Sequence, residues 1–365
     1  MTPLGEIIAQ RIRATGPITV AEYMTEALQH ARFGYYATRD PLGAAGDFIT
    51  APEVSQVFGE LIGLWCADAW TGLGRPDPLL LIELGPGRGT LMADALRAIR
   101  TVPEFRRALR VHLVETSPAL RVLQAKALAD ANPTWHEALD TVPEAPLIAI
   151  ANEFLDALPI RQFQRCGGEW RERRIAPGAD GESFAFVVER EESLAAAMVS
   201  PRLSDAPEGS IAEVCPPAAA LCAGLAQRIA RVGGAALLID YGHPRTACGD
   251  TLQAVRGHRP HPVLEAPGAA DITAHVDFEA VAEAARRAGA AVHGPVAQGA
   301  FLRALGIELR ERQLLASATA EQAQRIRSGV RRLIDAAEMG TLFKVLAFTH
   351  PALAAPAGFA ETATP

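Results

Sequence analysis

The sequence predicts an α/β protein: a doubly wound, mostly parallel sheet, with a helical region ahead of it and an antiparallel β/helical insertion inside it. Three observations carry this. Short apolar runs, LLLIELG (79–85), RVHLVET (110–116), TWHEAL (134–139) and PLIAIANEF (146–154), alternate with helical stretches, as buried strands do with their crossover helices. The first run ends in glycines where strand gives way to helix. After Pro159 the rhythm breaks, and half-polar runs flank Gly167-Gly168 as in a hairpin.

Taken in order, residues 1–78 read as mostly helical. From Glu53 to Trp70 the apolar residues Val54, Val57, Phe58, Leu61, Ile62 and Trp65 follow one helix face. Thr50 and Glu53 have the spacing of a capping box, which predicts a sharp start after GDFIT. TGLGRPDP (71–78) is a turn cluster and a boundary. A helix follows the first strand to about Arg100, and Ser117 with Pro118 opens the next. QFQR and EWRERRIA form the hairpin, with FAFVVERE as a further strand. The α/β rhythm resumes with a helix over 217–232 and the strand AALLIDYG. A long loop spans 243–275, helices recur at 277–289 and about 308–338, and TLFKVLAF (341–348) supplies a last strand. The expected division is a helical cap (1–78), a first core part (79–160), a β-rich insertion (161–216), the rest of the core (217–350) and a flexible Ala/Pro-rich tail (351–365).

Composition narrows the function. A chain of 365 residues with 49% hydrophobic residues is not disordered. A net charge of −7 argues against a dedicated DNA or RNA binder, and no apolar run is long enough for a membrane helix. Five cysteines without a C-x-x-C pair fit a reducing compartment, the cytoplasm or, in a eukaryote, the mitochondrial matrix. The start, MTPLGEIIAQRIRATG, reads as an amphipathic surface helix rather than a targeting segment.

ELGPGRGT, Glu83 to Thr90, is the first candidate site. Its glycines, Gly85, Gly87 and Gly89, permit a tight turn and close backbone approach ahead of a helix N-terminus. A P-loop needs a lysine after its last glycine, and the two lysines of the chain, Lys126 and Lys344, lie elsewhere. The dinucleotide fingerprint needs two residues before the third glycine, and here there is only Arg88. The remaining form, acid-x-G-x-G-x-G, is that of Rossmann-like binders of S-adenosylmethionine, with Glu83 placed to balance the ligand's ammonium. Glu115, ending the second strand, can accept both ribose hydroxyls, or else lead the next helix as a solvated acid. Trp135 and His136 can flank an adenine or simply pack. ANEFLDALPI follows the fourth strand, where ligands of open parallel sheets bind. Its Asn152, Glu153 and Asp156 can orient a substrate and hold a guanidinium, or cap a helix.

GDFITAPEVSQVFGE, ELGPGRGT, ANEFLDALP, EVCP, LLIDYG, DITAHVDF and MGTLFKVLAF, in this order, resemble the MidA-type family of S-adenosylmethionine-dependent methyltransferases. The likeness spans roughly residues 15–350. It implies that Gly85, Gly87 and Glu115 contact the cofactor, that Gly46, Asp47 and Phe48 cover it, and that Asn152, Glu153 and Asp156 line the methyl-transfer site. Mitochondrial members are complex I assembly factors reported as protein-arginine methyltransferases, which implies a protein substrate such as a respiratory-complex subunit. A small-molecule methyltransferase, or a cofactor-binding assembly factor acting by docking, are the alternatives. The double-glutamate hairpin of arginine methyltransferases is not recognisable, and Glu153 with Asp156 would stand in for it loosely.

Other constellations are weaker. His258 and His261 lie near Asp271, His275 and Asp277, but Pro260 forbids a helix between the histidines, and no metal is expected. Tyr241 can stack on a substrate or pack. No G-x-S-x-G elbow is present.

Overall fold

The computed structural model describes residues 1–38 and 50–359. They divide into two units, one of Met1–Phe48, Asp156–Ala219 and Arg245–Asp277, the other of Ile49–Leu155, Ala220–Pro244 and Phe278–Pro365.

The second unit holds the sheet. Its strands are β1 (Leu79–Leu84), β2 (Leu109–Val114), β3 (Thr134–His136), β4 (Leu147–Asn152), β5 (Gly234–His243), β6 (Ala291–Ala297) and β7 (Phe343–Thr349). They lie in the order β6-β7-β5-β4-β1-β2-β3. The five strands from β3 to β5 pair in parallel, and β7 runs antiparallel to both β5 and β6. Every residue of β1 and β4 is buried, which explains why these strands read as unbroken apolar runs. The chain winds outward from β1 to β3 and then returns to place β4 on the other side of β1. The carboxyl ends of β1 and β4 therefore form a topological switch point.

Helix α1 (Gln56–Gly72) packs Phe58, Ile62, Trp65 and Trp70 into the core with Leu79 and Leu81 of β1. Each such side chain contributes about 2 kcal/mol by leaving water. Its partner is α2 (Thr90–Ile99), directly after the glycine loop. The approach is close: a Cβ on Gly63 would stand 2.5 Å from the Ala95 carbonyl oxygen.

Several expectations need correction here. The predicted single helix from Glu53 breaks at Ser55, whose extended backbone and hydroxyl cap α1 through the Val57 N–H. Thr50 makes no side-chain cap, because Glu53 instead accepts a 2.6 Å hydrogen bond from the Thr90 hydroxyl. The stretch at 308–338 is two helices, Ile307–Leu315 and Ala320–Ile334, the second opened by a Thr319–Gln322 capping box. Arg310 reaches back to the buried Glu60 of α1 at 2.7 Å, and Arg97 shares that carboxylate at 3.1 Å. Strand β6 escaped the sequence pattern, since an irregularity between His293 and Val296 breaks its alternation. Residues 351–359, expected to be flexible, dock on this unit. Trp65 Nε1 donates to the Ala357 carbonyl at 3.1 Å, and the Phe359 ring meets Phe301 at 5.3 Å.

In the first unit the expected hairpin forms from Arg161–Cys166 and Glu169–Pro177, turning at Gly167-Gly168, with Phe184–Val188 along its second strand. Ile18–Thr19 pairs with the same strand. The first two helices, Pro3–Thr15 and Val20–Gln29, thus share a core with the insertion, through Ile8, Tyr23, Met24 and Ile175. The segment read as a loop over 243–275 contains a three-stranded sheet of Gln253–Arg256, Arg259–His261 and Asp271–Thr273. No helix of the described residues is long and apolar enough to cross a membrane.

Candidate functional site

The glycine loop leaves β1 with three positive φ angles, +64° at Gly85, +53° at Gly87 and +84° at Gly89. Gly85 is constrained twice. Its left-handed backbone suits glycine, and a Cβ there would meet the Phe154 ring 2.5 Å away. Gly89 caps α2, whose ten residues aim their N-terminal dipole at the loop. Two residues before Gly85, still within β1, stands Glu83, only 3% exposed, whose Oε2 has no hydrogen-bond partner among the described residues. Burial pushes its carboxyl up to about 8, so the acid is mostly protonated at neutral pH. A buried, half-satisfied acid at this point is costly to the fold and suited to a cation from outside.

Glu115 follows β2 and is also buried, which raises its carboxyl above the ordinary range against the hydrogen bonds that lower it. Its Oε1 accepts the Ser117 N–H at 2.8 Å, and its Oε2 accepts the Gln124 amide at 3.0 Å. As expected, Ser117 caps α3 (Pro118–Ala127) through the Leu120 N–H, with Pro118 in its first turn. Gln124, on α3, is a residue the sequence reading missed. It is 0% exposed and ties three expected cofactor elements together. Its Nε2 donates to the Gly87 carbonyl at 2.7 Å and to Glu115, while its Oε1 accepts from Trp135 Nε1 at 2.8 Å. The available signal was a polar residue on the stripe Leu120, Gln124, Leu128, all buried. His136, at the end of β3, meets His112 Nδ1 at 2.8 Å and the Thr141 hydroxyl at 3.1 Å. Burial lowers both imidazoles, and each is lowered further by Arg228. His112 reaches about 4, with His136 as its next largest influence.

At the end of β4, Asn152 is buried and donates to Glu153 Oε1 at 3.1 Å. Its Oδ1 has no hydrogen-bond partner among the described residues. Glu153 sits at φ +49°, a strained conformation for a residue with a side chain. The same Oε1 accepts the Ala51 N–H at 2.8 Å, and the Glu153 N–H donates to the Ile239 carbonyl at 2.9 Å. Glu83, Glu115, Trp135, His136, Asn152, Glu153 and the three glycines therefore all belong to the second unit, at the carboxyl ends of β1 to β4. Asp156 belongs to the first unit. There its charge, after burial and Asp271, raises the Tyr36 hydroxyl, which donates to Asp271 at 3.1 Å. Gly46, Asp47 and Phe48 lie outside the described residues.

Tyr241 packs edge-on against Phe343 with ring centroids 5.4 Å apart. His258 is exposed at a turn, and His261 Nε2 pairs with the Glu265 carbonyl at 3.1 Å. Among the described residues, no cluster of three or more His, Cys, Asp or Glu side chains could hold a metal ion. None of the five cysteines forms a disulfide.

Residues 61–296 match the family described as "Putative S-adenosyl-L-methionine-dependent methyltransferase". The chain is 40% identical to the protein arginine methyltransferase NDUFAF7 homolog of Drosophila melanogaster, a mitochondrial protein, over 96% of this chain and 86% of that one. It is 37% identical to mitochondrial protein arginine methyltransferase NDUFAF7 of Homo sapiens, over 95% and 83%. A structure from Burkholderia thailandensis, described as that of a "COG1565 superfamily member and likely methyl transferase" bound to S-adenosyl-homocysteine, is 29% identical and aligns over 98% of this chain and 94% of that one, with a TM-score of 0.85. The residues present fit that ligand class: Glu83 offers a buried carboxyl oxygen without a partner among the described residues for an ammonium, the three left-handed glycines turn the chain into the N-terminus of α2, and the buried Glu115 follows β2.

Proposed function

The chain belongs to this family of S-adenosylmethionine-dependent methyltransferases, and from that membership we propose that it methylates arginine side chains of a protein substrate. The observation that supports the reading best is the pair of buried acceptors without partners among the described residues, Glu83 Oε2 and Asn152 Oδ1, which end adjacent parallel strands. Each calls for an N–H donor, one from the cofactor's ammonium and one from the substrate. Glu83 holds the ammonium, Gly85 and Gly87 lie along the amino-acid end, and Gly89 heads the helix behind it. Glu115 takes the ribose, while Trp135 and His136 border the adenine.

Bound S-adenosylmethionine supplies an electrophilic methyl group. The protein must align a nitrogen with it, exclude water and accept the proton that nitrogen loses. Asn152 orients the guanidinium, Glu153 faces it from a backbone held in strain, and Asp156, three residues on in the chain, is the second carboxylate. The same acids favour a cationic substrate over a neutral small molecule. The relatives are named as mitochondrial, so a matrix setting, complex I assembly and a respiratory-complex subunit as substrate form part of this reading, and the unbridged cysteines fit it equally.

The test is incubation of the purified protein with methyl-tritiated S-adenosylmethionine and mitochondrial lysate, then acid hydrolysis of the protein fraction. Label in methylarginine is expected. Label confined to small molecules, or none despite tight cofactor binding, would overturn the arginine reading.

A further inference from the structure

Asp240 lies in β5, 1% exposed, beside the end of β4, where Ile239 pairs with Asn152 in parallel register. Its Oδ2 accepts two consecutive backbone N–H groups of the loop after β4, from Phe154 at 3.1 Å and Leu155 at 2.9 Å. Its Oδ1 accepts the N–H of Tyr241 at 2.9 Å. With the Glu153 N–H on the Ile239 carbonyl, three successive amides of the loop are tied to β5. Those ties end at the residue that most needs them, because Glu153 holds a left-handed backbone that a free loop would leave. They also set Phe154, whose ring stands so close to Gly85 that a Cβ there would clash at 2.5 Å.

We propose that Asp240 is a positioning residue for methyl transfer. Its carboxylate fixes the backbone of residues 153–155, and through it the aim of Asn152 and Glu153 and the seat of Phe154 against the glycine loop. The inference rests on the reading of Asn152 and Glu153 as the acceptor side. Asp240 acts on methyl transfer through the loop backbone that its carboxylate holds. A carboxylate suits the task because it is acceptor-only, with lone pairs enough for all three N–H groups. Asparagine keeps one acceptor oxygen and turns its amide donors toward another donor, so it should rescue part of the hold that alanine loses.

The test compares wild type, Asp240→Ala and Asp240→Asn as full-length proteins. Calorimetry with S-adenosylhomocysteine reads the cofactor side, tritium transfer to lysate protein reads turnover, and hydrogen exchange of peptides covering 150–158 reads the loop. For Asp240→Ala we expect affinity within about threefold of wild type, transfer slower by at least about tenfold, and loop amides exchanging at least about tenfold faster. Asp240→Asn should fall between the two proteins in both transfer and exchange. Transfer at the wild-type rate in Asp240→Ala overturns the proposal, as does a loss of affinity equal to the loss of transfer, which is the pattern of a merely structural residue. If wild type labels no protein arginine, the proposed function fails by that observation alone. The exchange data still decide this inference then, because wild-type protection in Asp240→Ala removes the hold on which it depends.

Discussion

Glu83 makes a measurable link between cofactor binding and protons. Its folded carboxyl is raised to about 8, from an ordinary value of 4.5, by burial. The sign follows from that direction. Without ligand, the group's contribution to stability is fully present below pH 4.5 and is lost as pH rises through about 8, since the fold must then carry a buried charge. A docked ammonium reverses this by favouring the ionised form. At pH 6.5 the free protein holds the proton almost completely, so binding S-adenosylhomocysteine should release about one proton. Titration calorimetry in buffers of different ionisation enthalpy reads that number as a slope. Affinity should also tighten about tenfold between pH 6 and pH 7, a range in which the ligand's amine stays charged. Glu83→Gln, nearly isosteric and unable to ionise, should bind about thirtyfold more weakly, as befits the loss of about 2 kcal/mol of charge-assisted hydrogen bonding. Its slope should shrink toward zero. A wild-type slope near zero, with equal affinity at both pH values, would refute the placement of the ammonium on Glu83.

Glu115→Ala should weaken S-adenosylhomocysteine binding by about tenfold or more in calorimetry, whereas Asp156→Ala should chiefly lower turnover in the tritium assay. Gln124→Ala leaves the Trp135 N–H and the Gly87 carbonyl without their partner, so chemical denaturation should show a loss of about 2–4 kcal/mol together with weaker cofactor binding. An unchanged denaturation midpoint would mean that the network relaxes freely. Gly63→Ala presses a methyl into the Ala95 backbone at 2.5 Å and should cost about 1–3 kcal/mol, seen as a Tm lower by several degrees. Cofactor affinity should be untouched, because the clash lies between α1 and α2 and away from the glycine loop.

Much of the fold was legible because local chemistry encodes it. Strands buried on both faces are predominantly apolar, and so β1 and β4 stood out. Glycines in left-handed turns have few substitutes, which exposed the loop at 85–89. What escaped was structure whose pattern is interrupted or supplied from afar. Strand β6 carries an irregularity that spoils alternation, and the small sheet within 243–275 is built from strands of three or four residues. Glu53 reads as a cap partner for Thr50, but its carboxylate is claimed by Thr90, 37 residues on.

The sequence by itself determined that this chain forms an open α/β sheet, with a glycine loop after its first strand and acids at the ends of the next ones. Each of those features depends on neighbours along the chain. Only the tertiary structure decided how they are held together. Gln124 joins the glycine loop, Glu115 and Trp135, and Asp240 holds the backbone after β4. It also decided that Glu83 is an acid kept protonated, since burial rather than residue type sets that carboxyl. The reason is the same in each case: a buried polar group is defined by the partners that packing brings to it, and those partners come from distant parts of the chain.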